Sequence, residues 1–146
     1  MHAGDHVGAT PPVSALLQDE PSISFLNMLG NAYCDNKLRQ EADDEHHRFS
    51  QWSNPRCNLV GTLGNHEFDE GVDEMLRLIK GGIHENGPYL DPEYDGAHSP
   101  YVIANVVYKN SGKPVLPPYV IKRVRGIPVA FIGAVLKETP TIIFLS

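Results

Sequence analysis

The chain has 146 residues, 41% hydrophobic and 21% charged, enough for about one domain with a real core. A net charge of -6, with no Lys/Arg cluster to offset it, argues against a nucleic-acid backbone as partner. No apolar stretch reaches the roughly 18 residues that span a bilayer, and Met1-His2-Ala3-Gly4-Asp5 shows neither the charged nor the apolar region of an export signal.

In chain order, an acidic turn comes first, Gly4-Asp5-His6, after only a two-residue start. Residues 9–12 read as a turn, and Val13-Ser14-Ala15-Leu16-Leu17 as a short helix ending near Asp19. Pro21 opens a second helical run, since its missing N–H costs nothing in a first turn. Ile23, Phe25, Leu26, Met28 and Leu29 form its apolar face, and Gly30-Asn31 stops it. Residues 31–56 are a polar insertion, read as a solvated loop or marginal surface helix whose far end Phe49 and Trp52 pin. Cys34 and Cys57 flank it, either as a disulfide in an oxidising compartment or as two free thiols.

A buried strand is expected at 59–63. Val72, Met75, Leu76 and Ile79 then recur at helical spacing, and Gly81-Gly82 ends that helix. The pairs Met28-Leu29 and Met75-Leu76 are assigned to the core. After an irregular stretch at 84–100, residues 101–107 read as a buried strand. Residues 119–125 alternate and read as a half-exposed strand, the basic run Lys122-Arg123-Val124-Arg125 resembling an exposed strand face, and 128–135 form an apolar, central one. The last six residues, 141–146, are apolar where an exposed terminus is more often polar.

Chemistry concentrates at Gly64-Asn65-His66-Glu67-Phe68-Asp69, on the crossover from the 59–63 strand to the 70–80 helix, where open α/β proteins collect their sites. The Asn65 carbonyl is a neutral oxygen ligand for a hard or borderline metal. His66 is placed to ligate or to donate to a leaving oxygen. Asp69, three residues on, can reach the other imidazole nitrogen and favour the imidazolium. The plainer reading makes Asn65 or Asp69 a helix cap and His66 a surface residue; a site at a helix start uses the same groups. Asp5, on its Gly-Asp turn, has two oxygens with which to bridge cations; the dipeptide alone reads by default as a solvated carboxylate near the terminus. His6 is a candidate lining residue. His46 and His47 beside Asp43, Asp44 and Glu45 read as a solvated charged loop before a loose metal site, and His2, His84 and His98 as surface or turn residues. Asn105, at the end of a short apolar half-strand, is placed either to hydrogen-bond a loop or to approach the site, and is not assigned as a ligand.

The Gly-Asn-His-Glu tetrapeptide arises by chance in roughly 1 in 1000 chains of this length. With it, the chain resembles the calcineurin-like metallophosphoesterases, and more closely their 5'-nucleotidase branch. The resemblance rests on Ala3-Gly4-Asp5, on Gly8-Ala9-Thr10-Pro11-Pro12 through Asp19-Glu20-Pro21, and on Phe25-Leu26-Asn27-Met28-Leu29-Gly30. It continues in Gly64-Asn65-His66-Glu67-Phe68-Asp69-Glu70-Gly71, Ala104-Asn105-Val106, Phe131-Ile132-Gly133-Ala134-Val135 and Glu138-Thr139-Pro140. It lapses at 31–56 and 84–100.

The resemblance implies a partial metallophosphoesterase catalytic domain over 1–146, an incomplete four-layer α/β/β/α sandwich. It implies Asp5 as the carboxylate bridging two divalent metal ions (Mn²⁺, Zn²⁺, Mg²⁺ or Ca²⁺) and Asn65 as a ligand to one. It implies His66 as the catalytic histidine at the departing oxygen and Asp69 as its orienting partner. Family members attack phosphorus in line with a metal-activated hydroxide. The substrate implied is a small phosphate ester, a nucleotide 5'-phosphate in the full-length parent, and the parent's home is periplasmic or secreted.

The family's upstream Asp-x-His and its downstream His and Gly-His-x-His motifs have no counterpart in these 146 residues. The chain therefore reads as an internal piece of a larger enzyme, with little or no activity expected alone and self-association expected through exposed sheet surface. The alternatives are an inactive remnant, a binding or regulatory domain, or a parent acting as a cyclic-nucleotide phosphodiesterase or UDP-sugar hydrolase.

Overall fold

The computed structural model describes residues 1–36, 39–43 and 48–137. Its helices are α1 (Pro12–Ala15), α2 (Glu20–Leu29) and α3 (Val72–Lys80), with a 3-10 turn at His66–Phe68. Its strands are β1 (Arg39–Asp43), β2 (Arg48–Trp52), β3 (Gly61–Thr62), β4 (Tyr101–Val102), β5 (Tyr119–Val124) and β6 (Ile127–Ile132). Among the described residues the strands form one sheet in the order β1-β2-β5-β6 and a parallel pair β3-β4. This is a small α/β domain with two sheets and helices, compatible with part of an α/β/β/α arrangement.

The parallel pair is the centre. Leu63, Tyr101 and Ile103 meet Ile23 and Leu26 of α2 and Met75, Leu78 and Ile79 of α3 in one buried cluster. Val60, Val102 and Val120 form a second, smaller one. Met75, Leu78 and Ile79 bury one face of α3 because i, i+3 and i+4 share a side of the helix. Asp73 and Glu74 in its first turn and Arg77 and Lys80 in its last oppose the helix dipole favourably.

Several expectations are corrected. The insertion holds a hairpin: β1 and β2 pair antiparallel from Arg39↔Trp52 to Asp43↔Arg48, and β2 joins β5 in parallel at Trp52↔Ile121. Backbone pairing here needs no apolar periodicity, which is why polar residues hid it. Arg123 stacks over the Trp52 ring, 4.6 Å from its centroid. Residues 44–47, with His46 and His47, lie outside the described residues, as does 138–146. The strand expected at 101–107 stops at Val102. Beyond it, Ile103 N–H donates to the Pro117 carbonyl and Ala104 N–H to that of Gly133, so the backbone partners change and the ladder ends.

The strand read as central, β6, is the outer strand of its sheet, with Ile127 and Ile132 each 65% exposed. An apolar run marks burial only when something covers it, and among the described residues little does. Lys122, read as outward, is buried and donates its Nζ to the Cys57 carbonyl. Desolvation lowers its pKa. Met75 is core as expected, but Met28 is 81% exposed and Leu29 is also exposed. Cys34 and Cys57 form a disulfide. Closing a loop of this length stabilises by about 3 kcal/mol in the chain-entropy account.

A buried charge network joins the helices to the irregular 84–100 stretch. Arg77, 9% exposed, donates to Glu20 at 2.8 Å and to Glu74 at 2.7 Å. Glu20, only 1% exposed, accepts from the backbone N–H of Leu90 and Asp91. Replacing Arg77 with Met leaves that carboxylate buried and unpaired, so a loss of about 3 kcal/mol is expected. Urea midpoints should show it, with Glu20→Gln in the same chain recovering part.

His2, read as a surface or turn residue, is packed between His6 and Tyr101, and both its ring nitrogens are buried without a hydrogen-bond partner among the described residues. Desolvation, then the His6 and amino-terminal charges, lower its pKa from 6.5 to about 4. The folded protein binds this proton less readily than the unfolded chain. Its contribution is therefore present above pH 6.5 and lost as pH falls towards 4. His2→Leu should flatten that acid loss, read as a smaller difference in urea midpoint across this pH window.

Candidate functional site

Two turns meet at the carboxyl end of the β3-β4 pair. The first carries Asp5 on a left-handed turn, with φ of 89° at Gly4 and 57° at Asp5. A Cβ on Gly4 would run into the Gly64 backbone, and one on Gly64 into the Asp5 carboxylate. Glycine at both positions is what allows the turns to touch. The second turn runs Gly64-Asn65 into the 3-10 turn, closed by Phe68 N–H to the Asn65 carbonyl and Asp69 N–H to that of His66. Phe68 is buried in the core and anchors it.

Glu67 binds the two turns together. Its buried carboxylate accepts N–H bonds from Asp5 at 2.8 Å, His6 at 2.9 Å and Gly64 at 2.6 Å. The sequence reading gave Glu67 no role. A carboxylate in a turn that exposes several backbone N–H groups can accept charge-assisted bonds from them. Asp19 was also missed. It accepts from Gly8 N–H at 2.8 Å and from the Thr10 hydroxyl at 2.5 Å, holding the far end of the Asp5 loop.

The structure brings Asp5, Asn65, His66 and Asp69 into one neighbourhood. Asp5 Oδ1 accepts the His66 backbone N–H at 3.2 Å. His66 Nδ1 lies 2.8 Å from Asp69 Oδ2, so that contact engages Nδ1 and not Nε2. The hydrogen bond that the His66 ring donates to Asp69, then the Asp69 charge, raises the imidazole pKa, with smaller help from Asp5 and Glu67. Asn105 bonds the Val135 backbone through both amide atoms, as a loop clamp. His98 pairs with Asp95 at the surface, and His84 packs on Tyr89 near Glu74.

Asp5 and Asn65 offer hard oxygen donors and no soft ones, which suits Mg²⁺, Mn²⁺ or Ca²⁺ better than a thiolate-seeking ion. Among the described residues no three His, Cys, Asp or Glu side chains converge as a metal cluster. The donors present fit part of a coordination shell. No helix among the described residues is long and apolar enough to cross a membrane.

No family model matches the chain. It is similar to an endonuclease, YhcR, of Bacillus subtilis (strain 168), 42% identical over 138 residues, covering 94% of this chain and 9% of that protein. It is similar to a cell wall protein, Lmo0130, of Listeria monocytogenes, 37% identical over 148 residues, 98% of this chain and 15% of that protein. A 2',3'-cyclic-nucleotide 2'-phosphodiesterase/3'-nucleotidase of Yersinia enterocolitica is 40% identical over 62 residues, 42% of this chain and 7% of that enzyme. The chain thus spans only a small part of these three relatives. It is a distant homologue of several hydrolase and nucleotidase-like proteins, consistent with a metallophosphoesterase-like superfamily.

Because Asp69 raises the His66 pKa, Asp69→Asn should lower it towards the ordinary 6.5. The stabilisation from this pair is full below that ordinary value and is lost as pH rises through the folded-state pKa. An NMR titration of the His66 ring protons in both proteins checks the shift; equal midpoints would mean the contact does not persist in solution.

Proposed function

We propose that this chain is part of the catalytic domain of a metal-dependent phosphoester hydrolase whose full-length form acts on nucleotide phosphates, most simply as a 5'-nucleotidase. The observation that carries the reading is the apposition of Asp5 to a His66 already paired with Asp69, on the turn that also carries Asn65. In this reading the domain boundary runs beyond residues 1–146, and Asp5 and Asn65 would hold divalent cations together with donors from water and from further polypeptide. Bound there, such cations acidify water and neutralise phosphoryl oxygens.

The chain's own residues supply the rest. Asp69 holds His66 as the imidazolium with Nε2 outward. Nε2 then gives its proton to the ester oxygen as that oxygen departs. The His66 backbone N–H restrains one oxygen of Asp5 and leaves the other for ligation. Glu67 keeps both turns in register, so neither needs to reorganise during the reaction.

A diester substrate is the second reading. Two relatives carry the names endonuclease and cyclic-nucleotide phosphodiesterase, and the same imidazolium serves a diester leaving oxygen equally. The net charge of -6 favours a small ester over a polynucleotide. The Cys34–Cys57 disulfide and the similarity to a cell wall protein support an extracytoplasmic home for the parent. The exposed Ile127 and Ile132 of the outer strand support self-association of the isolated chain.

Mn²⁺ titrated into the 146-residue chain by calorimetry should bind at micromolar concentration and lose that binding in Asp5→Ala. In the full-length parent, His66→Ala should lower kcat for AMP by about 100-fold or more with little change in KM. Undiminished turnover in that variant, or Mn²⁺ binding indifferent to Asp5, would overturn the reading in favour of a binding domain or an inactive remnant.

A further inference from the structure

Asp19 stands at the N-cap of α2, its carbonyl accepting the N–H groups of Ser22 and Ile23. An aspartate there ordinarily turns its carboxylate back on its own helix. Asp19 makes no such side-chain bond, and its φ of 57° is left-handed, uncommon for a residue with a Cβ. The buried carboxylate instead accepts from Gly8 N–H and from the Thr10 hydroxyl. Neither feature favours α2 itself; what the carboxylate holds is Gly8.

Gly8 lies directly against the His66–Asp69 pair. A Cβ at residue 8 would stand 2.6 Å from Asp69 Oδ2 and 2.5 Å from the His66 carbonyl oxygen. Asp69 Oδ2 is the same oxygen that contacts His66 Nδ1. Gly8 is tied through both of its polar groups, its N–H to Asp19 and its carbonyl to Thr10 N–H. It is therefore a fixed wall beside that oxygen.

We propose that Asp19 is a positioning residue of the phosphohydrolase site: it holds Gly8 against Asp69, and so limits the rotation of the carboxylate that sets the orientation and tautomer of His66. The inference rests on the phosphohydrolase reading above. A side chain with backbone fixed against it has fewer open rotamers, so the Asp69–His66 contact is made with less ordering left to do. Gly8 belongs to the loop that carries Asp5, so one buried carboxylate keeps Asp5 and the imidazole in register.

The test is the two-bond ¹H–¹⁵N spectrum of the His66 ring in the labelled 146-residue chain, recorded without metal at a pH where the ring is neutral. In the native chain Nδ1 should carry the proton and donate it to Asp69. In Asp19→Ala the signal should move towards the Nε2–H tautomer, the commoner form of an unrestrained neutral imidazole. Asp19→Asn keeps the shape and one acceptor oxygen, and should fall between the two. Gly8→Ala, which presses on Asp69 Oδ2 and leaves Asp19 in place, should move the signal in the same direction as Asp19→Ala. In the full-length parent, Asp19→Ala should lower kcat for AMP about tenfold with KM little changed. A role in stability alone would lower the urea midpoint and leave the tautomer as it was. That result in a folded Asp19→Ala chain, or in Asp19→Asn if the alanine variant does not fold, would overturn the inference and leave the phosphohydrolase reading intact. So would a native chain already in the Nε2–H form, or an unmoved tautomer in folded Gly8→Ala. A shifted tautomer in Asp19→Ala together with undiminished turnover in His66→Ala would sink the phosphohydrolase reading, and the positioning role with it.

Discussion

The carboxylate of Glu67 is the contact on which the candidate site depends. Three backbone N–H groups from two turns, far apart in sequence, converge on its two oxygens. A buried carboxylate without donors is costly, and buried N–H groups without acceptors are costly too. Each side therefore enforces the other. Asp5 stays on its left-handed turn because its N–H is held, and Gly64 stays against it because there is no side chain to intervene. The Asn65 and His66 positions follow from Gly64 on one side and from the buried Phe68 on the other.

The supports outside this contact are arranged by distance from it. Asp19 fixes Gly8 and Thr10, so the Asp5 loop is held at both ends. Further out, Arg77 between Glu20 and Glu74 joins α2 to α3, and Glu20 reaches on to the backbone at 90–91. The buried charges are matched by named partners throughout, the condition under which such groups are tolerated. His2 is the departure: it is kept neutral by burial among aromatic neighbours, with no acceptor for its ring N–H among the described residues.

Much of this was legible in the sequence where side-chain pattern and structure share a period. The spacing of Met75 and Ile79 gave α3, and the apolar run 59–63 led to β3 and its buried neighbours. The apposition of His66 and Asp69 followed from three-residue spacing at a helix entry. The failures have a common cause. The β1-β2 hairpin is joined by backbone bonds between polar residues, so no periodicity announces it. The apolar segments at 104–107 and 128–135 read as buried because composition reports what a segment tolerates and not what covers it. The disulfide needed three-dimensional proximity to settle, since two cysteines 23 residues apart allow either redox state. Glu67 was missed because the residues either side of it carried the more familiar chemistry.

The feet of the polar insertion stand close together. The Cα atoms of Cys34 and Cys57 are 4.3 Å apart, near the 3.8 Å that separates neighbours along a chain. Asn31 and Asn58 reinforce that stem with side-chain bonds to the backbone on either side. The insertion is therefore a side branch of the backbone: the path from α2 to β3 is spatially almost continuous without it. Changes of length in the branch therefore act on the sheet, through the pairing of Trp52 with Ile121, while the stem separates them from the paired turns.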